Sequence, residues 1–205
     1  MSKVITIGRK YGSAGIEVGK KVAELLNIPF YDKELVEMAA KKDNLNPETV
    51  KEVDERATNS LLYSVVSGNY SMRGLGSPMY YNMPINDRLF IAQTGVIKDV
   101  AKSDCVIVGR CADYVLDEEE NVNVLSVFIY SSNEYCIDHI IEEMGLTKTK
   151  ARDLINKSNK RRKNYYEYYT GRDWGAMANY DLCIDVEKVG VENAAKLIAE
   201  CAKMI

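Results

Sequence analysis

The chain is poor in the residues that most directly announce metal or redox chemistry. Its 205 residues include a single histidine, His139, which excludes any site that needs two. The five cysteines, Cys105, Cys111, Cys136, Cys183 and Cys201, are odd in number, widely spaced and never arranged as C-x-x-C. Zinc-binding and thioredoxin-like chemistry therefore have no basis. Several of these cysteines sit in apolar runs, where a thiol behaves as a small hydrophobe, and reduced thiols suit a reducing compartment. No stretch approaches the roughly 20 apolar residues of a membrane span. The opening Met1–Ile7 has no apolar core of signal-peptide length. A formal net charge of −3 excludes a globally basic surface for nucleic acid. Together these absences predict a cytoplasmic protein whose partners are small molecules rather than membranes or nucleic acids. They say nothing about oligomeric state.

What is present is an alternation of short β-branched runs and helical patterns. Val4–Ile7 reads as a buried parallel strand. Val18, Val22, Leu25 and Leu26 then recur on one helix face. Ile28–Tyr31, Cys105–Val108, Val124–Tyr130 and Leu182–Ile184 read as four further strands. Helices are predicted over Lys33–Lys42, with Asp32 able to cap it, over 47–66, and over Asp87–Ala101. Three more are predicted over Asn133–Met144, from a Thr147 cap to about Asn156, and over Val191–Met204. Ser67–Asn86 is too long for an ordinary connection and reads as a functional lid or a mobile loop. Strands alternating with helices predict an α/β protein with a parallel sheet and helices on both faces. Ligands of such sheets bind at the carboxyl ends of the strands. Gly8, Asp32 and Arg110 each follow a predicted strand.

Between the first strand and its helix runs Gly8-Arg9-Lys10-Tyr11-Gly12-Ser13-Ala14-Gly15. Glycines let a backbone curl around an anion, and a helix N-terminus supplies open N–H groups and the positive end of a dipole. This is the setting of a phosphate-binding loop. A standard loop ends Gly-Lys-Ser/Thr, but here Ile16 and Glu17 follow Gly15. The missing positive charge would come from Arg9 or Lys10, and a hydroxyl from Ser13.

A second cluster lies far along the chain. Residues 157–172 carry Lys157, Lys160, Arg161, Arg162, Lys163 and Arg172 against one acid, Glu167. Arginine forks grip phosphate oxygens and stabilise charge during phosphoryl transfer. Tyr165, Tyr166, Tyr168 and Tyr169 interleave at helical spacing, which predicts packing rings with hydroxyls at the surface. The stretch reads as a phosphate-gripping lid. Solvated charge or RNA contact are the competing readings, the second opposed by the acidic total.

Four blocks in this order resemble the cytidylate kinase-like family of nucleoside monophosphate kinases: ITIGRKYGSAG over 5–15, PFYDKE over 29–34, VIVGRCAD over 106–113, and YYEYYTG over 165–171 continuing through Trp174-Gly175 to Tyr180-Asp181-Leu182. The resemblance implies a three-layer P-loop fold in one domain spanning 1–205. It implies a five-stranded parallel sheet in the order 2-3-1-4-5, an inserted acceptor-binding region over 43–86 and a lid over 157–175. It implies ATP as phosphoryl donor, Mg2+ as its companion ion, and CMP, dCMP or a similar acceptor. Gly8, Arg9, Lys10, Gly12, Ser13, Ala14, Gly15, Lys160 and Arg161 would hold ATP. Asp32, Arg110, Asp113 and Arg162 would hold the acceptor, and Arg110, Arg162 and Lys10 would act in transfer. No residue is assigned as a direct metal ligand. Relatives in this branch tend to carry glycine at 14 and arginine at 16, true cytidylate kinases aspartate at 111, and the Asp-x-x-Arg lid motif aspartate at 159, where this chain has Ala14, Ile16, Cys111 and Asn159. Two other activities remain compatible with the same fold: nucleotide binding without catalysis, and phosphorylation of another phosphorylated small molecule.

Overall fold

Successive side chains of a strand point to opposite faces of its sheet, so a strand buried on both sides needs apolar residues at every position. The central strand of this protein comes close to that demand, with Val4, Ile5 and Ile7 buried and Thr6 the one polar residue among them. A computed structural model describes residues 1–43, 45 and 83–205. In it, β1 (Ser2–Arg9) pairs in parallel with β3 (Cys105–Val108) on one side and β4 (Val122–Tyr130) on the other. β2 (Phe30–Tyr31) and β5 (Leu182–Asp185) complete a parallel sheet in the order β2-β3-β1-β4-β5. Fold class and strand order are those the sequence implied. The predicted helix over 47–66 and most of the segment 67–86 lie outside the described residues.

Two apolar layers cover the sheet, sorted by this alternation. Ile5, Ile7, Val106, Val108, Val127 and Ile129 face α1 (Gly15–Leu26) and α8 (Val191–Met204). α8 follows the short α7 (Val186–Val189). Val4, Cys105 and Ile107 face α2 (Glu34–Lys42), α3 (Ile85–Val100) and α4 (Ala112–Leu116). Among the described residues no helix is long and apolar enough to cross a membrane. All five cysteines are free thiols, and burial pushes the Cys105 thiol up to about 12.

The remaining helices form an antiparallel pair. α5 (Asn133–Met144) starts on a Ser132 cap, whose hydroxyl accepts from the Tyr135 N–H. α6 starts on Thr147 as expected, but it does not end near Asn156. It runs unbroken over Lys148–Thr170, where Gly171 closes it in the left-handed region. Propensity explains the continuity, because the stretch after Asn156 is rich in Lys and Arg and contains neither Gly nor Pro. The amino-terminal half packs on α5 through Cys136, Ile137, Ile140, Ala151 and Ile155. The carboxyl-terminal half enters the main core through its tyrosines.

Those tyrosines correct one expectation. Three of their hydroxyls are not at the surface. Tyr165 donates to Gln93 Oε1 at 3.1 Å, Tyr166 to Asp113 Oδ2 at 2.7 Å and Tyr169 to Asp87 Oδ1 at 2.8 Å. The Tyr169 ring also stacks on Phe90, with centroids 4.0 Å apart. Gln93 and Asp87 are each 1% exposed, so their buried side-chain oxygens need donors, and this helix brings one to each. Tyr169→Phe keeps the ring stack and removes one donor from buried Asp87. It should cost about 1–3 kcal/mol, measured by urea unfolding, with native circular dichroism retained.

Candidate active site

β1 ends at Arg9, and the chain crosses Lys10–Ser13 before entering α1. Ala14 is held at φ 56° and Gly12 at φ 80°, both left-handed. The position where relatives carry glycine thus needs a glycine-like backbone, and Ala14 adopts it at a cost on the order of 1 kcal/mol. The first-turn N–H groups of α1 have no intrahelical partner, as at any helix start. This geometry suits an anion.

The Ser13 hydroxyl is not available to a metal. Ser13 is fully buried, and its Oγ lies 2.9 Å from the Lys10 carbonyl and 3.2 Å from the Ile129 carbonyl, donating to that pair. It braces the loop against β4. Glu17, the residue aligned with the usual metal-binding hydroxyl, faces outward and pairs with His139 at 3.0 Å. That contact accounts for the single histidine. Among the described residues no group of three or more His, Cys, Asp or Glu side chains gathers as a metal site. The loop therefore fits phosphate through its amides, and Ser13 does not fit the role of a magnesium ligand.

Arg9 and Lys10 part company. The Lys10 N–H extends the ladder to the Ile129 carbonyl at 3.0 Å, and its half-buried side chain stays near α5. There burial pushes the Cys136 thiol up, and the Lys10 charge partly offsets that effect. Arg9 turns the other way. Its guanidinium passes over Gly109 and lies 3.5 Å from Asp32 Oδ1, with the two side chains only 7% and 10% exposed. The expectation that Asp32 caps α2 is corrected: the N-cap is Lys33 with no side-chain bond, and the Asp32 N–H instead donates to Glu34 Oε2 at 3.0 Å.

Arg110 leaves the end of β3 in a strained turn. Gly109, Arg110 and Cys111 have φ of 76°, 61° and 55°, and the Ala112 N–H closes the turn on the Gly109 carbonyl at 3.1 Å. Left-handed backbone at two consecutive non-glycine residues costs free energy that the surrounding structure must offset. Such strain concentrates where a side chain has to be aimed. Arg110 is buried at this turn.

The lid residues reach the loop through α6. Arg162 Nη1 donates to the Arg9 carbonyl at 3.3 Å, and its guanidinium lies 5.3 Å from the centre of the Tyr11 ring. One turn earlier, Asn159 Oδ1 accepts from the Tyr11 N–H at 2.8 Å. Sequence reasoning marked Asn159 only as a departure. Its i, i+3 spacing from Arg162 places both on one helix face and was the signal that could have found it. Lys160 and Arg161 are exposed on the outer face and form no ion pair among the described residues.

Asp113 stands apart from this group. Its carboxylate accepts from Tyr166 and borders a separate cavity of about 450 Å3 with Arg172, Asp117, Tyr180 and Asp181. Burial pushes its carboxyl above the ordinary carboxylate range, and the Tyr166 hydrogen bond only partly offsets this. A raised folded-state value means that ionisation opposes folding. The associated stability is complete below the unfolded value, about 3.9, and is lost as pH rises through the folded one. Asp113→Asn, whose amide oxygen can still accept from Tyr166, should therefore gain stability relative to the parent between pH 4 and pH 8. Parallel urea titrations across that range measure the difference.

The sheet order, the phosphate-suited loop and the docked arginines define a P-loop kinase-like fold. Shikimate kinases share it: that of Bacteroides thetaiotaomicron aligns at 12% identity over 98% of both chains with a TM-score of 0.53. The Acinetobacter baumannii enzyme, solved with shikimate, aligns at 12% over 100% of this chain and 94% of its own, with a TM-score of 0.52. Residues 4–188 match the cytidylate kinase-like family, and the chain belongs to that family. A structure of an uncharacterised protein from Eubacterium ventriosum is similar over the full length of both chains, with 28% identity and a TM-score of 0.71. No functionally curated protein matches the chain.

Proposed function

We propose that this protein transfers the γ-phosphoryl group of ATP to CMP, dCMP or a similar nucleoside monophosphate. The observation that carries the reading is convergence. Arg9, Asp32 and the Gly109–Arg110 turn meet at the carboxyl ends of β1, β2 and β3, and Arg162 from α6 joins them at the start of the loop. Three segments far apart in sequence bring arginines to this end of the sheet, beside amides suited to phosphate.

Bound ATP supplies the phosphoryl group, and the chain supplies position and charge. The loop amides and Lys10 hold the donor phosphates. Arg110 holds the acceptor phosphate, and Arg162 excludes water and neutralises charge where the two meet. An acceptor phosphate is already nucleophilic, so no general base is required of the protein.

One observation favours a second reading, nucleotide binding without catalysis. The loop has Ile16 and Glu17 where lysine and a metal-binding hydroxyl ordinarily stand, and the Ser13 hydroxyl is committed to backbone. Release of ADP with CMP, dCMP, UMP and AMP in the presence of magnesium separates the two. Turnover should be found with at least one acceptor, and Arg110→Met should lower kcat/KM by roughly 10²-fold or more. Stabilisation of the chain by nucleotide, with no product from any acceptor, would transfer the conclusion to the second reading.

A further inference from the structure

We infer that His139 is a positioning residue for the donor phosphates: it holds the Glu17 carboxylate away from the loop amides that those phosphates need. The inference rests on the phosphoryl-transfer reading above and adds to it an internal competitor for the donor site.

The competitor follows from helix geometry. Ala14 is the N-cap of α1, so Gly15, Ile16 and Glu17 are its first three residues. Ala14 makes no side-chain cap bond, and the first intrahelical bond runs from the Val18 N–H to the Ala14 carbonyl at 3.0 Å. The N–H groups ahead of Val18 are the donors left for an anion. A glutamate at the third helical position ordinarily turns back and accepts from the N–H of the cap residue. Glu17 occupies that position. The positive end of the helix dipole draws its carboxylate the same way, and a carboxylate seated there both occupies a donor and repels phosphate.

Glu17 does not turn back. Its Oε1 lies 3.0 Å from Nε2 of His139 on α5. Glu17 is exposed and His139 half-buried, so the imidazole is the more firmly held of the two. Tyr135, one turn earlier on α5, stacks on it with ring centroids 6.2 Å apart and planes within 7° of parallel. α5 is in turn packed on the loop itself. A Cβ added at Gly12 would come within 2.8 Å of the Cys136 carbonyl oxygen and 3.1 Å of Ile140 Cγ1. One helix therefore buttresses the loop and restrains the carboxylate that competes for it. The lysines of α1 do not share this task. Lys21, four residues on, lies 2.5 Å from Glu192 of α8. Lys20, three residues on, borders a surface cleft with Pro29 and Phe30 at β2.

The test measures equilibrium binding of ADP, inorganic pyrophosphate and CMP to the full chain and to His139→Ala, His139→Gln, Glu17→Gln, Glu17→Asp and the double variant H139A/E17Q. His139→Ala should weaken ADP and pyrophosphate by roughly 3–10-fold and leave CMP within about twofold of the parent. His139→Gln, which keeps a donor on a side chain of similar reach, should bind ADP nearly as the parent does. Glu17→Gln should bind ADP at least as tightly as the parent, and the double variant should regain what His139→Ala loses. A pair that merely braced α1 against α5 gives the opposite pattern: Glu17→Gln then weakens ADP as His139→Ala does, and the double variant recovers nothing. In turnover, a competitor opposes ground state and transition state alike, so His139→Ala should raise KM for ATP and leave kcat unchanged. Should His139→Ala fail to fold, Glu17→Asp decides. Its carboxylate is one methylene further from His139 and still beside the amides, so ADP should weaken where Glu17→Gln leaves it intact. Unchanged ADP binding in His139→Ala, a loss that Glu17→Gln does not restore, or an equal loss of CMP would overturn the assignment. Rescue of ADP binding without turnover on any monophosphate would remove the kinase reading and leave the role of His139 standing. A parent chain that binds neither ADP nor pyrophosphate would remove both.

Discussion

The parting of Arg9 and Lys10 at the end of β1 is the constraint on which the site depends. Adjacent side chains along a strand point to opposite faces of its sheet. Arg9 reaches over Gly109 at the end of β3 to Asp32 after β2, while Lys10 lies near Cys136 of α5. Where a standard loop carries lysine directly after its last glycine, this chain has Ile16 in the first turn of α1, and Arg9 and Lys10 stand at the other end of the loop.

The second constraint is mechanical. α6 is one rod of 23 residues, anchored at its carboxyl end by three tyrosines whose hydroxyls donate to side-chain oxygens of Gln93, Asp113 and Asp87. Its middle presents Asn159 and Arg162 to the loop. A rod fixed in the core at one end transmits little error along its length, so the tyrosine anchors bear on where Arg162 meets Arg9. The basic residues on the outer face, Lys160 and Arg161, share the rod but not the contact.

Much of this was legible in residue order. Strand positions follow from β-branched runs, and the loop follows from its glycines and its place between strand and helix. Cys105–Val108 and Asn133–Met144 coincide with their predicted bounds. The Thr147 cap was legible too, because a hydroxyl at a helix start has a local role that needs no tertiary context. The length of α6 was misjudged because a dense charge run looks like a boundary, although Lys and Arg propagate helix well. Asp32 was ambiguous because a cap and an ion-pair partner look identical before the fold is known.

The sequence by itself determined the strand-helix alternation, the glycine-rich turn between the first strand and its helix, and the supply of cations, since each depends on a residue and its near neighbours. Only the tertiary structure decided that Arg9 reaches Asp32, that Ser13 braces the loop, and that Asn159 accepts from the Tyr11 amide. It also decided that Asp113 belongs to another cavity. These outcomes turn on contacts between residues separated by 23 to 153 positions. Strand order and helix docking select such contacts, and no local pattern encodes them.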